Sequence, residues 1–423
     1  MKVRLTDSSR ISLFNYLYFF CIIIFAGSAS AFARSWNAIN SPNSLFALFM
    51  TICFIVINKI RFKPNFIGVL TLFTMYAVIT FVQNGVVSPL WLSMWWISFC
   101  VTYVLISHCR ERIFVVYETI IVHLCVISLI FWCLYLASPE LVNSIVESLQ
   151  FSKSYSEDIQ SKNIIIYTLL DDTRLMNEFV TIPRNAGFAW EPGAFACMIC
   201  LAICCNIFRT NFRLFHNMQL IILLLTLLTT ASTTGYLVLL ILIIVYLISN
   251  RKYWILLIGL PLIIACFQLP FVKDKFLEEY GNMDYVNIAA YDDEVNHALG
   301  RMMSLKLDWE EFLRHPIFSL GGYSEGTWLF QQGYDNISTI SGIGKLLSRY
   351  GLIMTILFVF VLIKSTKLIG AHLKNNAGWL VFIVIIGTMV SYDLWTQPVY
   401  MLFWMYGIWG PRNIIQTRNS TIK

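Results

Sequence analysis

The sequence predicts an all-α fold, a polytopic transmembrane helix bundle of about twelve spans with two long external loops that contain short helices. Composition is the first reason. Of the 423 residues, 58% are hydrophobic and only 13% are charged, whereas soluble domains carry about a quarter charged residues. Apolar runs also recur that are long enough, at roughly 17–25 residues, to cross a hydrocarbon layer about 30 Å thick.

The apolar runs define the predicted spans. In chain order these are 12–33, 44–60, 66–82, 91–107, 113–137, 188–208, 214–231, 235–249, 253–271, 342–363, 377–394 and 396–411. The first run follows a basic start and is longer than the core of a typical signal peptide, so we interpret it as a span. The stretch 214–249 is too long for one span. The polar run from Thr229 to Gly235 interrupts it, which predicts a tight helical hairpin with a polar tip.

The distribution of lysine and arginine predicts the orientation of the bundle. More than half of the 30 basic residues lie at the two termini and in every second connection, where the only acids are Asp7 and Glu111. We therefore expect this face, with both termini, to be cytoplasmic. The opposite face carries the long loops 138–187 and 272–341, which hold most of the acids. The net charge of +6 then reflects topology and does not indicate nucleic-acid binding.

The eleven cysteines lie in or beside predicted spans, so we expect no external disulfide. Cys197, Cys200, Cys204 and Cys205 include a CxxC spacing within an apolar helix. No His or carboxylate lies among them, which favours helix packing over a metal site. The chain also lacks a clear aspartate-rich motif of the DxD or DDxxD kind. We therefore expect neither a metal nor another cofactor.

The first long loop ends in a segment that combines an arginine, a glycine and a glutamate directly before a span. Glu191 precedes Pro192, and proline at the first helical position costs no hydrogen bond. A carboxylate there is favoured by the helix macrodipole. One interpretation is a capped loop-to-helix junction. The other is that Arg184 and Glu191 face a shared cavity at the membrane surface, because charges at this depth are costly and usually functional.

The second long loop contains a predicted amphipathic helix that begins near Arg301 and ends before Pro316. Apolar residues recur at helical spacing at positions 302, 305, 309, 312 and 313. We expect this helix to lie along the external face. Its charges form either a solvated face or, for Arg301 and Arg314, part of a site. Arg349 lies within the next span, where a lone arginine needs a partner or an anionic ligand.

Arginines at the membrane edge suit a diphosphate group. A guanidinium binds phosphate oxygens bidentately and keeps its charge at physiological pH. A lipid-linked diphosphate would present its headgroup at this depth, and arginines could stabilise a departing diphosphate without a metal. The candidate diphosphate ligands are Arg184, Arg301, Arg314 and Arg349.

The layout and motifs resemble the bacterial O-antigen polymerase (Wzy) family and, more distantly, the O-antigen ligases. Arg184-x-x-Gly187-x-x-x-Glu191-Pro192 is similar to an Arg–Gly–Glu–Pro signature at the end of a periplasmic loop. Thr230-x-Ser232-x-x-Gly235 resembles the polar tip of the helical hairpin that follows. The stretch from Arg301 to Gly322, ahead of Asp335-Asn336 and Gly351-Leu352, resembles the long catalytic loop and its return to the membrane.

The resemblance implies a multi-pass glycosyltransferase of the bacterial inner membrane. It would join undecaprenyl-diphosphate-linked oligosaccharide repeats into O-polysaccharide in the periplasm, by an inverting-type transfer without a cofactor. Donor and acceptor would both be lipid-linked, and a chain-length regulator and a flippase of the same pathway would be its partners. Glu191 or Asp335 would orient or deprotonate the acceptor hydroxyl. The candidate sugar contacts are Tyr323, Trp328, Tyr334 and Asn336, although packing of the loop explains the aromatic residues equally well.

Three other functions remain as alternatives. O-antigen ligases, which transfer polysaccharide to lipid A-core, commonly carry a His before the return span, where this chain has Asp335. A flippase for the same lipid-linked unit commonly has twelve spans, but it tends to have short loops and charges inside the bundle. Here only Glu118 and Asp393 qualify as intramembrane acids. A scaffold protein without catalysis would not need arginines at the membrane edge.

Overall fold

The computed structural model describes residues 13–26, 30–33, 42–84, 89–149, 161–170, 173–177, 180–210, 217–249, 297–298, 301–320, 327–333, 337–372 and 378–411. Its helices are α1 (Leu13–Phe25), α2 (Pro42–Asn58), α3 (Pro64–Asn84), α4 (Pro89–Cys109), α5 (Ile113–Ala137), α6 (Pro139–Ser148), α7 (Pro192–Thr210), α8 (Met218–Thr229), α9 (Thr233–Ser249), α10 (Arg301–Arg314), α11 (Trp328–Gln331), α12 (Gly342–His372), α13 (Trp379–Met389) and α14 (Pro398–Trp409). The strands are β1 (Ser161–Ile164), β2 (Tyr167–Leu170), β3 (Thr173–Asn177), β4 (Val180–Pro183), β5 (His297–Ala298) and β6 (Ile337–Ser338).

The described part of the chain is mainly helical, and four of its helical stretches are long and apolar enough to cross a membrane. These are Pro64–Gln83, Trp91–Ala137, Pro192–Thr210 and Gly342–His372. Shorter helices occupy the other predicted spans except 253–271, which lies outside the described residues. The helical, membrane-type architecture is therefore confirmed, while the total of twelve spans stays a prediction.

Helix α7 lies at the centre of the bundle, packed against α5, α8, α9 and α13. Its cysteines Cys197, Cys200 and Cys204 are fully buried. Gly235 of α9 lies so close to α7 that a Cβ on it would come within 2.7 Å of the Ala196 Cβ. Small residues let helix backbones approach closely in this way, so the cysteine-rich face serves helix packing.

A buried polar network joins α5, α7 and α8 at the end of the bundle that is predicted to be cytoplasmic. Glu118 is 1% exposed and pairs with Arg209 at 2.7 Å. Asn206 donates a hydrogen bond to the same carboxylate at 2.6 Å, and Asn217 donates to Asn206 at 2.7 Å. Loss of Arg209 would leave the buried Glu118 carboxylate without its charged partner, which is costly, so this intramembrane acid has a structural role.

The first long loop contains β-hairpins as well as the expected short helix α6. Strands β1 and β2 pair antiparallel, with Ser161 opposite Leu170, and β3 pairs with β4 in the same way. Tyr167 of β2 stacks on Phe131 of α5 with ring centroids 4.7 Å apart. The all-α prediction missed these strands. The run of β-branched and aromatic residues at 164–168 was the available signal.

Helix α13 ends at Met389, and residues 390–397 join it to α14 without regular structure. The predicted spans 377–394 and 396–411 are thus longer than the helices found there. The 11 residues of α13 extend about 17 Å, which is less than the hydrocarbon thickness. Polar residues, among them Ser391, Tyr392 and Asp393, end the helix, and Pro398 begins the next one.

Helix α10 packs alongside the first turns of α12. Near its start, the Ile340 N–H donates to the Ser304 hydroxyl at 3.2 Å. After its end, the Leu352 N–H donates to the Pro316 carbonyl at 2.8 Å. The two segments therefore run in the same direction. Gly351 interrupts α12 with a φ of 74°, and its missing side chain lets the backbone that follows α10 approach closely.

Candidate functional site

The tip of the α8–α9 hairpin holds the segment that links β4 to α7. The Asn185 N–H donates to the Thr229 carbonyl at 3.0 Å, and Arg184 Nε donates to the Thr230 carbonyl at 3.2 Å. The Asn185 side chain accepts a hydrogen bond from the Gly187 N–H at 2.9 Å. Gly187 has a φ of 55°, which glycine adopts readily. The predicted polar tip thus fixes the buried arginine of the predicted signature.

Glu191 lies at the N-terminus of α7, as the sequence predicted. The helix begins at Pro192, and the Phe195 N–H donates to the Glu191 carbonyl at 3.1 Å. The positive end of the helix macrodipole stabilises a carboxylate at this place. The side chain is only half-buried, so it can face both the protein and a ligand.

Tyr392, which the sequence analysis did not single out, lies between Glu191 and Arg301. Its hydroxyl donates to Glu191 Oε1 at 3.1 Å and accepts a hydrogen bond from Arg301 Nη2 at 3.4 Å. The Arg301 guanidinium lies 5.7 Å from the centre of the Tyr392 ring. Arg184, whose Nε is bonded to the Thr230 carbonyl, has a weaker, longer-range electrostatic effect on the same hydroxyl. We call Arg184, Glu191, Arg301 and Tyr392 the Tyr392 cluster.

Two glycines make room for Tyr392. A Cβ on Gly193 would collide with the Tyr392 hydroxyl, and one on Gly342 would collide with its carbonyl oxygen. Next to Tyr392, the Ser391 hydroxyl lies 2.8 Å from that of Thr234 in α9. The position of Tyr392 is therefore set by α7, α9 and α12 together. The polar run at 391–393 between two apolar stretches was the sequence signal for it.

A second set of charges surrounds Asp308, two turns after Arg301 on the same face of α10. Asp308 Oδ1 accepts hydrogen bonds from the hydroxyls of Thr339 at 3.1 Å and Ser348 at 3.0 Å. The carboxylate is 5% exposed. Burial raises the pKa of Asp308 to about 6, although the nearby Arg349 guanidinium and the Ser348 hydroxyl act in the opposite direction. The sequence around Asp308 predicts no role for it, because nothing local indicates that it is buried.

The predicted arginines do not all converge. Arg314 lies at the far end of α10 from Arg301, about 20 Å along the helix axis, and its guanidinium is 5.0 Å from the centre of the Trp328 ring. Arg349 lies beside Asp308. Only Arg184 and Arg301 share the Tyr392 cluster. The remaining predicted site residues, Tyr323, Tyr334, Asp335 and Asn336, lie outside the described residues.

A guanidinium and a carboxylate that share one phenol, with the second guanidinium of the cluster, can bind a phosphate-type anion and orient a hydroxyl beside it. Among the residues that the structure describes, no group of three or more His, Cys, Asp or Glu side chains is arranged to hold a metal ion. No protein-family model and no curated protein sequence matches this chain.

Proposed function

We propose that the chain is an O-antigen polymerase, a glycosyltransferase that joins undecaprenyl-diphosphate-linked oligosaccharide repeats at the periplasmic face of the bacterial inner membrane. The observation that supports this proposal best is the convergence of Glu191 and Arg301 on the Tyr392 hydroxyl, with Arg184 buried in the same chain segment as Glu191. These residues come from three separate parts of the chain. They meet at the end of the bundle that is predicted to face the periplasm.

In this proposal the two arginines bind the diphosphate of the donor lipid. The bond between the anomeric carbon and the diphosphate oxygen breaks, and undecaprenyl diphosphate leaves with the electron pair. Negative charge grows on the leaving oxygen as this happens. Preorganised guanidinium groups stabilise such developing charge more than they stabilise the bound substrate, which lowers the barrier.

Glu191 is the candidate base for the acceptor. One of its oxygens accepts the hydrogen bond from Tyr392, which leaves the other for a sugar hydroxyl. As the hydroxyl oxygen bonds to the anomeric carbon, its proton passes to the carboxylate. Attack from the side opposite the leaving diphosphate inverts the configuration. Asp335, outside the described residues, stays the competing candidate for this role.

The flippase alternative has less support. Glu118 is already held by Arg209 and Asn206 in a buried network, and Asp393 lies 3.8 Å from the Lys345 ammonium. Both intramembrane acids thus have structural partners. A transport path would need charges that are free to meet a passing headgroup.

Deletion of the gene in its host tests the proposed function. We expect lipopolysaccharide whose core carries a single repeat unit, because transfer of one unit to core does not need the polymerase. Gel electrophoresis of lipopolysaccharide distinguishes the cases. Complete loss of O-antigen from core would point to a ligase or a flippase and contradict the proposal.

Site variants test the residue assignment. We expect Arg184→Ala and Arg301→Ala each to lower polymerisation by about a hundredfold or more, because an electrostatic contact to the leaving group is lost. Protein level should not change. Arg61→Ala, at an exposed position on the predicted cytoplasmic face, is the matched control and should give normal long chains. Normal chain length in either site variant would refute the assignment.

A further inference from the structure

Helix α10 exposes an apolar stripe on the side away from the Tyr392 cluster. Trp309 is 49% exposed and Leu313 is 58% exposed, as is Ile317 just beyond the helix. Lys306 lies on the same stripe and is also exposed. The opposite face, which includes the carboxylate of Asp308, is buried. That face also holds the apolar Met303, Leu307 and Phe312, but a helix whose outer face meets water normally exposes polar side chains there. The exposed apolar stripe therefore needs an apolar neighbour.

Helix α3 gives the depth of the stripe in the membrane. The Tyr76 hydroxyl donates to the carbonyl oxygens of Phe318 and Tyr350, each at 3.0 Å. Tyr76 lies about 20 Å along α3 from Lys63, at the predicted cytoplasmic end, and the hydrocarbon layer is about 30 Å thick. Beyond Tyr76, Val82 is still 77% exposed. Phe318 therefore lies roughly 10 Å inside the outer boundary of the hydrocarbon.

Helix α12 gives a similar depth independently. Lys364 is the first basic residue toward its predicted cytoplasmic end, and Leu352 lies about 18 Å before it. The Leu352 N–H donates to the Pro316 carbonyl at 2.8 Å. The turn after α10 thus begins roughly 12 Å inside the outer boundary of a layer about 30 Å thick. Leu352, Ile356 and Phe360 are 44%, 57% and 63% exposed, as side chains that face lipid should be.

Along α10, the side chains of the stripe pass from aliphatic to aromatic to basic, the order expected from the hydrocarbon through the interface to the headgroups of a membrane. The helix rises from this turn beside α12, toward Ile340. Ile317 and Leu313 are aliphatic. Trp309, up to about 12 Å above Ile317, falls near the boundary of the hydrocarbon, where tryptophan is enriched. Lys306 lies one turn higher, at the level of lipid phosphates, where its ammonium is favoured.

We propose that α10 dips into the outer leaflet of the membrane, with Leu313 and Ile317 packed against bulk lipid chains and Trp309 at the interface. Arg301, at the opposite end of the helix, then lies toward the lipid headgroups. The inference rests on the chain spanning a membrane. It does not rest on glycosyl transfer, and it holds or fails independently of the polymerase proposal.

Photocrosslinking tests the inference. The photoreactive residue p-benzoylphenylalanine replaces Leu313 or Ile317 in separate full-length variants, which are reconstituted in vesicles that contain radiolabelled phosphatidylethanolamine. Phe360, exposed in the middle of α12, is the lipid-facing benchmark. Glu147, exposed on α6 in the first external loop, is the water-facing control. We expect phospholipid labelling at 313 and 317 to be close to that at 360 and at least about fivefold above that at 147.

Three outcomes would overturn the inference. One is labelling at 313 and 317 no higher than at 147. Another is a crosslink between two copies of the chain, because a protein partner would then cover the stripe. The third is loss of phospholipid labelling on addition of undecaprenyl diphosphate, because the stripe would then bind the substrate's chain. Each variant must first elute as a single species in size-exclusion chromatography. If the variant at position 317 does not fold, the variant at position 313 is sufficient for the test.

Discussion

The hydroxyl of Tyr392 joins a carboxylate and a guanidinium that lie 201 and 91 residues away in the sequence. A phenol can donate and accept at the same time. It therefore holds Glu191 and Arg301 near each other without forming an ion pair between them. A direct ion pair would satisfy both charges and leave less of either for a substrate. The phenol keeps the two groups available and fixes the distance between them.

We expect Tyr392→Phe to lower the rate of polymerisation by about tenfold, because positioning of reacting groups depends on sub-ångström geometry. The ring and its edge-on contact with Trp190 remain, so the protein level should be close to normal. Incorporation of labelled repeat units by isolated membranes measures the rate. A fully active variant would show that the hydroxyl does not position the site.

Tyr103→Phe is the matched control. Tyr103 is also buried, and its hydroxyl donates to the Arg61 carbonyl at 2.8 Å, at the predicted cytoplasmic end. Each loss of a hydrogen bond costs about 1 kcal/mol of stability. We expect similar thermal stability for the two variants and lowered activity only for Tyr392→Phe. Equal losses of activity would indicate a general folding effect.

We expect Gly193→Ala to be more damaging than Tyr392→Phe, because its Cβ would occupy the place of the Tyr392 hydroxyl. The ring has to move, and with it the neighbouring backbone. The lipopolysaccharide ladder should collapse to one repeat unit. Gly68→Ala is the control, since a Cβ there meets nothing within 4 Å. That variant should keep the full ladder and gain slightly in helix propensity.

At the scale of elements, the buried face of α10 combines polar side chains with the apolar Met303, Leu307 and Phe312, while Trp309 and Leu313 face outward. Asp308 accepts hydrogen bonds from Thr339 and Ser348, and a Cβ on Gly344 would collide with the same carboxylate. Glu311 accepts from the Trp328 N–H at 2.8 Å, which ties α11 to the same face. The contact between α10 and α12 therefore depends on a buried acid, and buried acids make contacts sensitive to pH.

The pH dependence of stability follows from the raised pKa of Asp308, about 6 in place of 3.8. Between these values the folded protein keeps a proton that the unfolded protein has lost. The free energy of unfolding therefore falls as the pH rises from about 4 to about 6, by at most about 3 kcal/mol. The asparagine of an Asp308→Asn variant cannot titrate. The free energy of unfolding of this variant should therefore not fall over this pH range, and at pH 7.5 the variant should be more stable than the wild type. Thermal unfolding in detergent at pH 4.5 and 7.5 measures the difference.

Glu140→Gln, at an exposed position on α6, is the control for this experiment and should follow the wild type at both pH values. Other carboxylates titrate in the same window, so the informative quantity is the difference between variant and wild type. If the Asp308→Asn variant differs from the wild type by the same amount at pH 4.5 and at pH 7.5, the buried carboxylate does not control the stability of this contact.

At the scale of the whole molecule, the predicted orientation places the Tyr392 cluster and the Glu118 network at opposite ends of the bundle. In that orientation, one end carries the two predicted long loops and the candidate chemistry. The other has short basic connections and a buried ion pair. The basic residues set the orientation during insertion, and the two ends can therefore be distinguished by labelling.

We expect a cysteine introduced by Glu147→Cys to react with a membrane-impermeant maleimide in intact spheroplasts, because α6 belongs to the first of the two loops predicted to be external. A cysteine introduced by Lys59→Cys should react only after lysis. Both positions are exposed. Labelling of the unmodified protein gives the background from the native cysteines. The reverse pattern would place the candidate site on the cytoplasmic side and contradict both proposals.

The sequence by itself determined the helical, membrane-type fold, the interruption at Thr229–Gly235, and the position of Glu191 before α7. These are local properties. Hydropathy, proline placement and charge bias act within a single segment, so they can be read without knowing its neighbours. The same local rules missed the short hairpins of the first loop, because strands of four residues carry little periodic signal.

Only the tertiary structure decided which distant residues meet. It placed Tyr392 between Glu191 and Arg301, kept Arg314 and Arg349 away from that cluster, and buried Asp308 while exposing Trp309. These outcomes depend on how α7, α10, α12 and the α13–α14 connection pack. Contacts between segments far apart in sequence depend on the shapes of all the packed segments and on the space that glycines leave between them. They cannot be predicted from any one segment alone.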